Sequence, residues 1–437
     1  MRMKTYKQYQ IIFTKLLIIG IITIVPMCYS CSGSYCDGTQ CKEKLGLKNK
    51  PSVNDSIFYE KYPLKATRFN VFVESSASMD GYVKGNTSFK TTLHRLIGQV
   101  VADVLKDDRS ISLNYINTQI KKQRVTPKQF TQDLSPTSFR NVGGGRANSD
   151  IIEIISNVVK STKSGEISMF VSDCVYSPES SDDIDKALKK QQTDMLNILK
   201  NKAKTDKDFG VVVYRFTSDF HGYYYNKTDA EIIVNGVRPY FVWFMGDKSV
   251  LANVCKSISD IVKEEKAYFV AGISEYNYIP YRTIASDHSY HYLSAKSKDN
   301  SLFTFSFRAD LSRLPLSKDY LLDKGNYAMG KDKYFIKKIE AIDPSDSKNK
   351  GCNYKYTICI KGRKNSMITP TTVEISIKSM LSEVPQWVKS FDDPNGNDYN
   401  SGYDAKKIRT FGLRSLIEGI ADFYKESYYA TFRIQIN

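Results

Sequence analysis

From residue 69 to about residue 263, short apolar runs alternate with longer segments whose apolar residues recur every three or four positions. That alternation leaves few folds open. Phe69 to Val73 is apolar at nearly every residue, the pattern of a strand buried on both faces. Ser88 to Leu105 carries Leu93, Leu96, Ile97, Val100, Val101, Val104 and Leu105 at helical spacing. Ser110 to Asn117 predicts a second strand, followed by a loop region through Pro127, Pro136 and Gly143-Gly144-Gly145. Ser149-Asp150 then opens a helix with Ile151, Ile152, Ile154, Ile155 and Val158 on its apolar face, and Asn148 or Ser149 is the expected N-cap. Ile167 to Asp173 predicts a strand ending in an acid, and Ser180 to Lys204 a long helix. Phe209–Phe216 and Pro239–Met245 predict two more strands, separated by a Tyr-rich, hairpin-like insertion from His221 to Val237. A helix over Val250–Lys263 follows. Strands alternating with helices imply an α/β fold: a doubly wound, mostly parallel sheet covered on both faces.

Past residue 265 the period changes to two. Leu302–Arg308, Tyr334–Ala341, Tyr354–Ile360, Thr372–Lys378 and Tyr429–Ile436 alternate and are separated by turn residues, which favours an antiparallel sandwich or barrel. One helical segment, Ser415 to Tyr424, interrupts them. The expected organisation is a leader over 1–30, a polar tether over 31–66, the α/β domain over 67–264 and a β-rich, sandwich-like domain over 265–437.

The leader reading comes from a basic start with Arg2, Lys4, Lys7 and Lys15, and an apolar core from Leu17 to Met27 closed at Pro26. That core is short for a permanent span and suits an export signal. Cys31, preceded by the small Ser30, resembles the lipidated Cys of a bacterial lipoprotein; the place three before it holds Cys28 where an aliphatic residue is usual. The resemblance implies export, cleavage before Cys31, lipidation there, and a membrane-anchored place in the cell envelope, at the outer membrane or cell surface. An oxidising compartment would permit local disulfides at Cys36/Cys41 and Cys352/Cys359, with connectivity open. The formal charge of +16 is spread along the chain without a concentrated patch, so nucleic acid is disfavoured as a partner. His288 and His291 sit in a Tyr-rich loop and read as surface residues, and no Cys/His spacing suits zinc.

Chemistry concentrates where the first strand ends, at Glu74-Ser75-Ser76-Ala77-Ser78-Met79. The loop before the Ile151 helix offers Ser149, and the strand over 167–173 ends at Asp173. In an open α/β sheet such loops lie at one end, where ligands bind. Two carboxylates, Glu74 and Asp173, with three hydroxyls, Ser76, Ser78 and Ser149, form an oxygen-only donor set suited to Mg²⁺ above Mn²⁺ or Ca²⁺.

In order and content these segments resemble a von Willebrand factor A domain and its metal-ion-dependent adhesion site, over residues 67 to about 264. Glu74-x-Ser76-x-Ser78-Met79 stands for the family's Asp-x-Ser-x-Ser. Ser149-Asp150-Ile151 stands for its Thr-Asp-Ile after a Gly pair, displaced by Arg146-Ala147-Asn148, and Ser172-Asp173 for its third-loop Asp. The resemblance implies a divalent cation held by Glu74, Ser76, Ser78, Ser149 and Asp173, with a carboxylate of a protein or surface ligand completing its shell. That is a binding mechanism and not an enzymatic one. The departures are Glu74, one methylene longer than Asp, and Ser149, which lacks the methyl of Thr. Two other readings stand beside it: a metal-assisted envelope hydrolase, and a metal-free structural component of a surface or secretion complex.

Overall fold

The computed structural model describes residues 65–146, 150–178, 183–228, 230–262, 266–269, 281–282, 289–290, 302–309, 311, 316–330, 334–343, 345, 356–363, 371–378, 384–396, 398, 409–425 and 428–436. The leader, the tether up to residue 64, Cys31, Cys36, Cys41, Ser149, His288, His291 and Cys352 lie outside them.

The chain enters on β1 (Phe69–Glu74), followed by a single helical turn α1 (Asp80–Val83) and α2 (Ser88–Asp103). Strands β2 (Ile111–Ile116) and β3 (Ile120–Gln123) precede α3 (Pro127–Gln132), α4 (Pro136–Arg140) and α5 (Ile151–Ser161). Then come β4 (Ile167–Ser172), α6 (Ile184–Ala203), β5 (Phe209–Tyr225), β6 (Glu231–Asp247), α7 (Lys248–Ser257) and β7 (Lys266–Phe269). These strands form one seven-stranded sheet in the order β3-β2-β1-β4-β6-β5-β7.

The centre of the sheet is parallel, as expected: β1 pairs with β2 on one side and with β4 on the other. Its flanks run antiparallel, because β2–β3 and β5–β6 are joined by short turns too brief for a crossover helix. The Tyr-rich insertion is not a separate element. Its residues extend β5 and β6 into one 17-residue-per-strand hairpin that projects past the end of β4.

Two apolar layers cover the sheet, and the period-two alternation decides which side chain enters which. Phe69, Val71 and Val73 of β1 face a layer with Leu93, Leu96, Ile97 and Val100 of α2 and with Val250, Leu251 and Val254 of α7. Phe72, Phe170 and Trp243 face the opposite layer, with Ile154, Ile155 and Val158 of α5 and Met195 and Leu199 of α6. The near-continuous apolar runs in the sequence are this two-sided burial.

Two local readings are corrected. The N-cap of α5 is Asp150, whose carboxylate accepts from the N–H of Ile152 at 2.8 Å and of Glu153 at 3.4 Å, in place of Asn148 or Ser149. The region around Pro127 and Pro136 is not all loop. Each Pro begins a short helix capped by the residue before it, Thr126 or Ser135, and such helices are too short to show a period.

Beyond β7 lie β8 (Tyr281–Arg282), β9 (Ser289–Tyr290), β10 (Leu302–Ala309), α8 (Lys318–Leu322), β11 (Tyr327–Met329), β12 (Tyr334–Ala341), β13 (Tyr356–Arg363) and β14 (Thr371–Lys378). The described chain closes with α9 (Gln386–Phe391), β15 (Asp392–Asp393), β16 (Thr410–Phe411), α10 (Leu413–Tyr424) and β17 (Tyr428–Ile436). Two four-stranded sheets result, β12-β13-β10-β8 and β11-β14-β17-β9, antiparallel except where β17 meets β9.

Helix α10 belongs with the α/β layers. Leu413, Leu416, Ile417 and Ile420 enter the layer of α5 and α6, and Trp387 of α9 joins them. The Tyr424 hydroxyl donates to the carbonyl of Phe209 at 2.9 Å, and Gln192 of α6 donates to Asp422 at 2.7 Å. Gly419 allows this contact, since a Cβ there would stand 2.4 Å from the carbonyl oxygen of Gln192.

Candidate functional site

Strands β1 and β4 are parallel neighbours, so their last residues and the loops behind them emerge at the same end of the sheet. Glu74, the final residue of β1, is 4% exposed, and Asp173, just past β4, is 1% exposed. Between them run the hydroxyls of the first loop. Ser76 and Ser78 share a hydrogen bond at 3.0 Å, and the Ser78 hydroxyl donates to Asp173 Oδ1 at 3.2 Å. Four of the five residues expected at the site are thus brought together; the fifth, Ser149, is outside the described residues.

Burial is the main electrostatic fact here. It pushes the Glu74 carboxyl up to about 7, helped by the negative field of Asp173 and opposed by hydrogen bonds from Ser172 and Ser76. Burial raises Asp173 as well, against the charge of Arg238, the N–H of Val175 and the hydroxyl of Ser78. Glu74 Oε2 and Asp173 Oδ2 are both buried without a hydrogen-bond partner. The next residue, Cys174, adopts a left-handed φ of 54° and turns the chain sharply. Its buried thiol is pushed well above its ordinary range, mainly by desolvation.

Two arginines complete the surroundings, and neither was anticipated. Arg146 follows the triple glycine and clamps the first loop to the second. Its Nε donates to the carbonyl of Ser75 at 2.8 Å, and its terminal nitrogen reaches the carbonyl of Ser76 at 3.3 Å and Asp80 at 2.5 Å. The Ala77 N–H returns a bond to the Arg146 carbonyl at 3.1 Å. Gly144 makes room for the turn, with φ +73° and a position where a Cβ would meet the Asn117 side chain at 2.6 Å. Arg238 comes from the projecting hairpin, 0% exposed, its Cζ 4.1 Å from the centre of the Tyr224 ring. A lone cation inside an otherwise apolar strand run was the available signal, since a buried charge requires an anion nearby.

The hairpin covers the first loop. Phe220 packs edge-on against Tyr82 at 4.8 Å between centroids, and the Tyr82 hydroxyl donates to the carbonyl of Pro239. Backbone meets backbone at one point: a Cβ on Gly222 would lie 2.8 Å from Gly81 Cα.

In type, these donors suit a hard cation, being oxygen only. Among the described residues no three His, Cys, Asp or Glu come together to hold a metal, and the expected donor set itself pairs only two carboxylates with hydroxyls. The two hydroxyls are already engaged with each other and with Asp173.

Comparison with known proteins finds no family model, no curated protein and no solved structure that matches the chain.

Proposed function

We propose that this chain is a cell-envelope lipoprotein, anchored through Cys31, whose von Willebrand A-like part binds a protein or surface ligand at the carboxyl end of its sheet. The observation that supports this reading most is the tie between Ser78 of the first loop and Asp173 of the third, beside Glu74 and Ser76. It joins the first and third of the three loops that the resemblance named. A divalent cation, Mg²⁺ before Mn²⁺ or Ca²⁺, is one way to complete the site, favoured by the open acceptors Glu74 Oε2 and Asp173 Oδ2.

Cross-linking of the full chain in intact cells tests the binding reading. The expected result is a defined cross-linked partner that is lost in Ser76→Ala/Ser78→Ala and kept in the distant surface variant Lys128→Ala. Equal capture by all three chains would sink it. Incorporation of labelled palmitate, lost in Cys31→Ser, tests the anchor separately.

A second reading, a metal-assisted hydrolase, draws on one observation. A buried carboxyl held near 7 is suited to carry protons at neutral pH. Turnover of a phosphate or sulfate ester that disappears in Glu74→Gln would favour it over binding.

A further inference from the structure

Arg238 reaches the loop cluster by topology. Phe241 of β6 stands opposite Ser172, the last residue of β4, and β6 runs antiparallel to it. Arg238, three residues earlier on β6, therefore lies past the end of β4, where Asp173 sits. The side chain is fully buried and held against two rings, Tyr224 at 4.1 Å and Phe220 at 5.8 Å. Those rings belong to the same hairpin and are themselves buried. The aromatic faces hold the guanidinium, and its charge acts on Asp173.

The charges require one another. A guanidinium stays protonated in any protein interior, so a buried one must be compensated by an anion. Two buried carboxyls at the end of one sheet likewise repel, unless a proton or a cation intervenes. In metal-dependent sites of this general layout the cation comes from solution. Here a cation of the chain already acts on one carboxylate of the pair, Asp173.

We propose that Arg238 is the resident cation of the loop cluster, supplying the positive charge that Asp173 needs, so that the site keeps its shape without a divalent metal. Arg238 is a positioning residue in this scheme: it acts through Asp173, which in turn holds Ser78 and the first loop. The proposal rests on reading this face as the functional site, but its test uses no ligand.

The full chain is treated with EDTA, and its thermal unfolding is followed with and without Mn²⁺ at millimolar concentration. Bound Mn²⁺ is read from the loss of the free-ion EPR signal. In the wild type, no Mn²⁺ binds and the midpoint is unchanged. Arg238→Met lowers the midpoint by on the order of 10 °C, the effect of leaving a buried charge uncompensated. Arg238→Lys recovers most of that loss, and Arg238→Met/Asp173→Asn recovers it by removing the stranded anion. A merely structural packing role for Arg238 would not be rescued by Asp173→Asn. Should Arg238→Met fail to fold, folding of the double variant supports the proposal, and the wild-type titration decides independently. Mn²⁺ uptake that raises the wild-type midpoint overturns the proposal while leaving the binding reading intact. So does an Arg238→Met chain as stable as the wild type, or a double variant no better than the single one.

Discussion

The Ser78 hydroxyl donates to Asp173 Oδ1 across 3.2 Å, joining two loops that are 95 residues apart in the chain. Among the described residues, the other hydrogen bond at Asp173 Oδ1 given a distance is the long 3.4 Å one from the N–H of Val175. Ser78→Ala is therefore expected to cost about 1–3 kcal/mol, the penalty for a buried acceptor left short of partners. Denaturant unfolding measures it. A loss below half a kilocalorie would mean that the tie does not hold the loops.

The Glu74 carboxyl rises from 4.5 to about 7 on folding, mainly through burial. A folded state that holds its proton more tightly than the unfolded chain loses stability as pH rises between those values. Glu74→Gln, which needs no proton, should be more stable than the wild type at pH 8, by at most about 3 kcal/mol. The difference should vanish below about pH 4.5, where the carboxyl is protonated in both states. Melting curves across that range in a chelated sample check the sign. A wild type that gains stability with rising pH would contradict the burial argument.

Gly222→Ala should destabilise the hairpin cover, because its Cβ would meet the Gly81 Cα at 2.8 Å and backbone cannot swing away. Overpacking of this kind costs about 1–3 kcal/mol. Gly98→Ala, on α2 where a Cβ meets nothing within 4 Å, is the control and should be neutral or slightly stabilising.

Helix α10 closes one face of the α/β layers through Leu413, Leu416, Ile417 and Ile420, so a fragment ending at residue 264 exposes that face. Such a fragment is expected to lack a cooperative melting transition and to bind hydrophobic dyes. A sharp transition in the fragment would show that α10 is dispensable. Gly419→Ala in the full chain gives a milder version, since its Cβ would press on the carbonyl of Gln192 at 2.4 Å.

Much of the α/β layering could be read from residue order alone. A strand buried on both faces must be apolar at successive positions, and a helix on such a sheet must be apolar every three or four. Phe69–Val73, Ile167–Val171 and the Ile151 helix obey those rules, and their loops contain Glu74, Ser76, Ser78 and Asp173. Local alternation likewise marked Tyr334–Ala341, Leu302–Arg308, Thr372–Lys378 and Tyr429–Ile436 to within a residue. The strand expected over Tyr354–Ile360 runs from Tyr356 to Arg363, and the short β8, β9 and β11 left no such mark.

What the period could not carry is which distant segments meet. Nothing local distinguishes a helix that interrupts a sheet from one that caps another layer, so the packing of α10 on α6 appears only in three dimensions. The same holds for the long β5–β6 hairpin, whose outer half looked like an insertion because one of its faces is solvated beside the exposed Tyr223 and Ile233. It holds most for the charges. The sequence determined that acids and hydroxyls end the strands. Only the tertiary structure decided that Arg146 would clamp them and that Arg238 would be buried beside them, because a charge's partner is set by the fold and not by its neighbours in the chain.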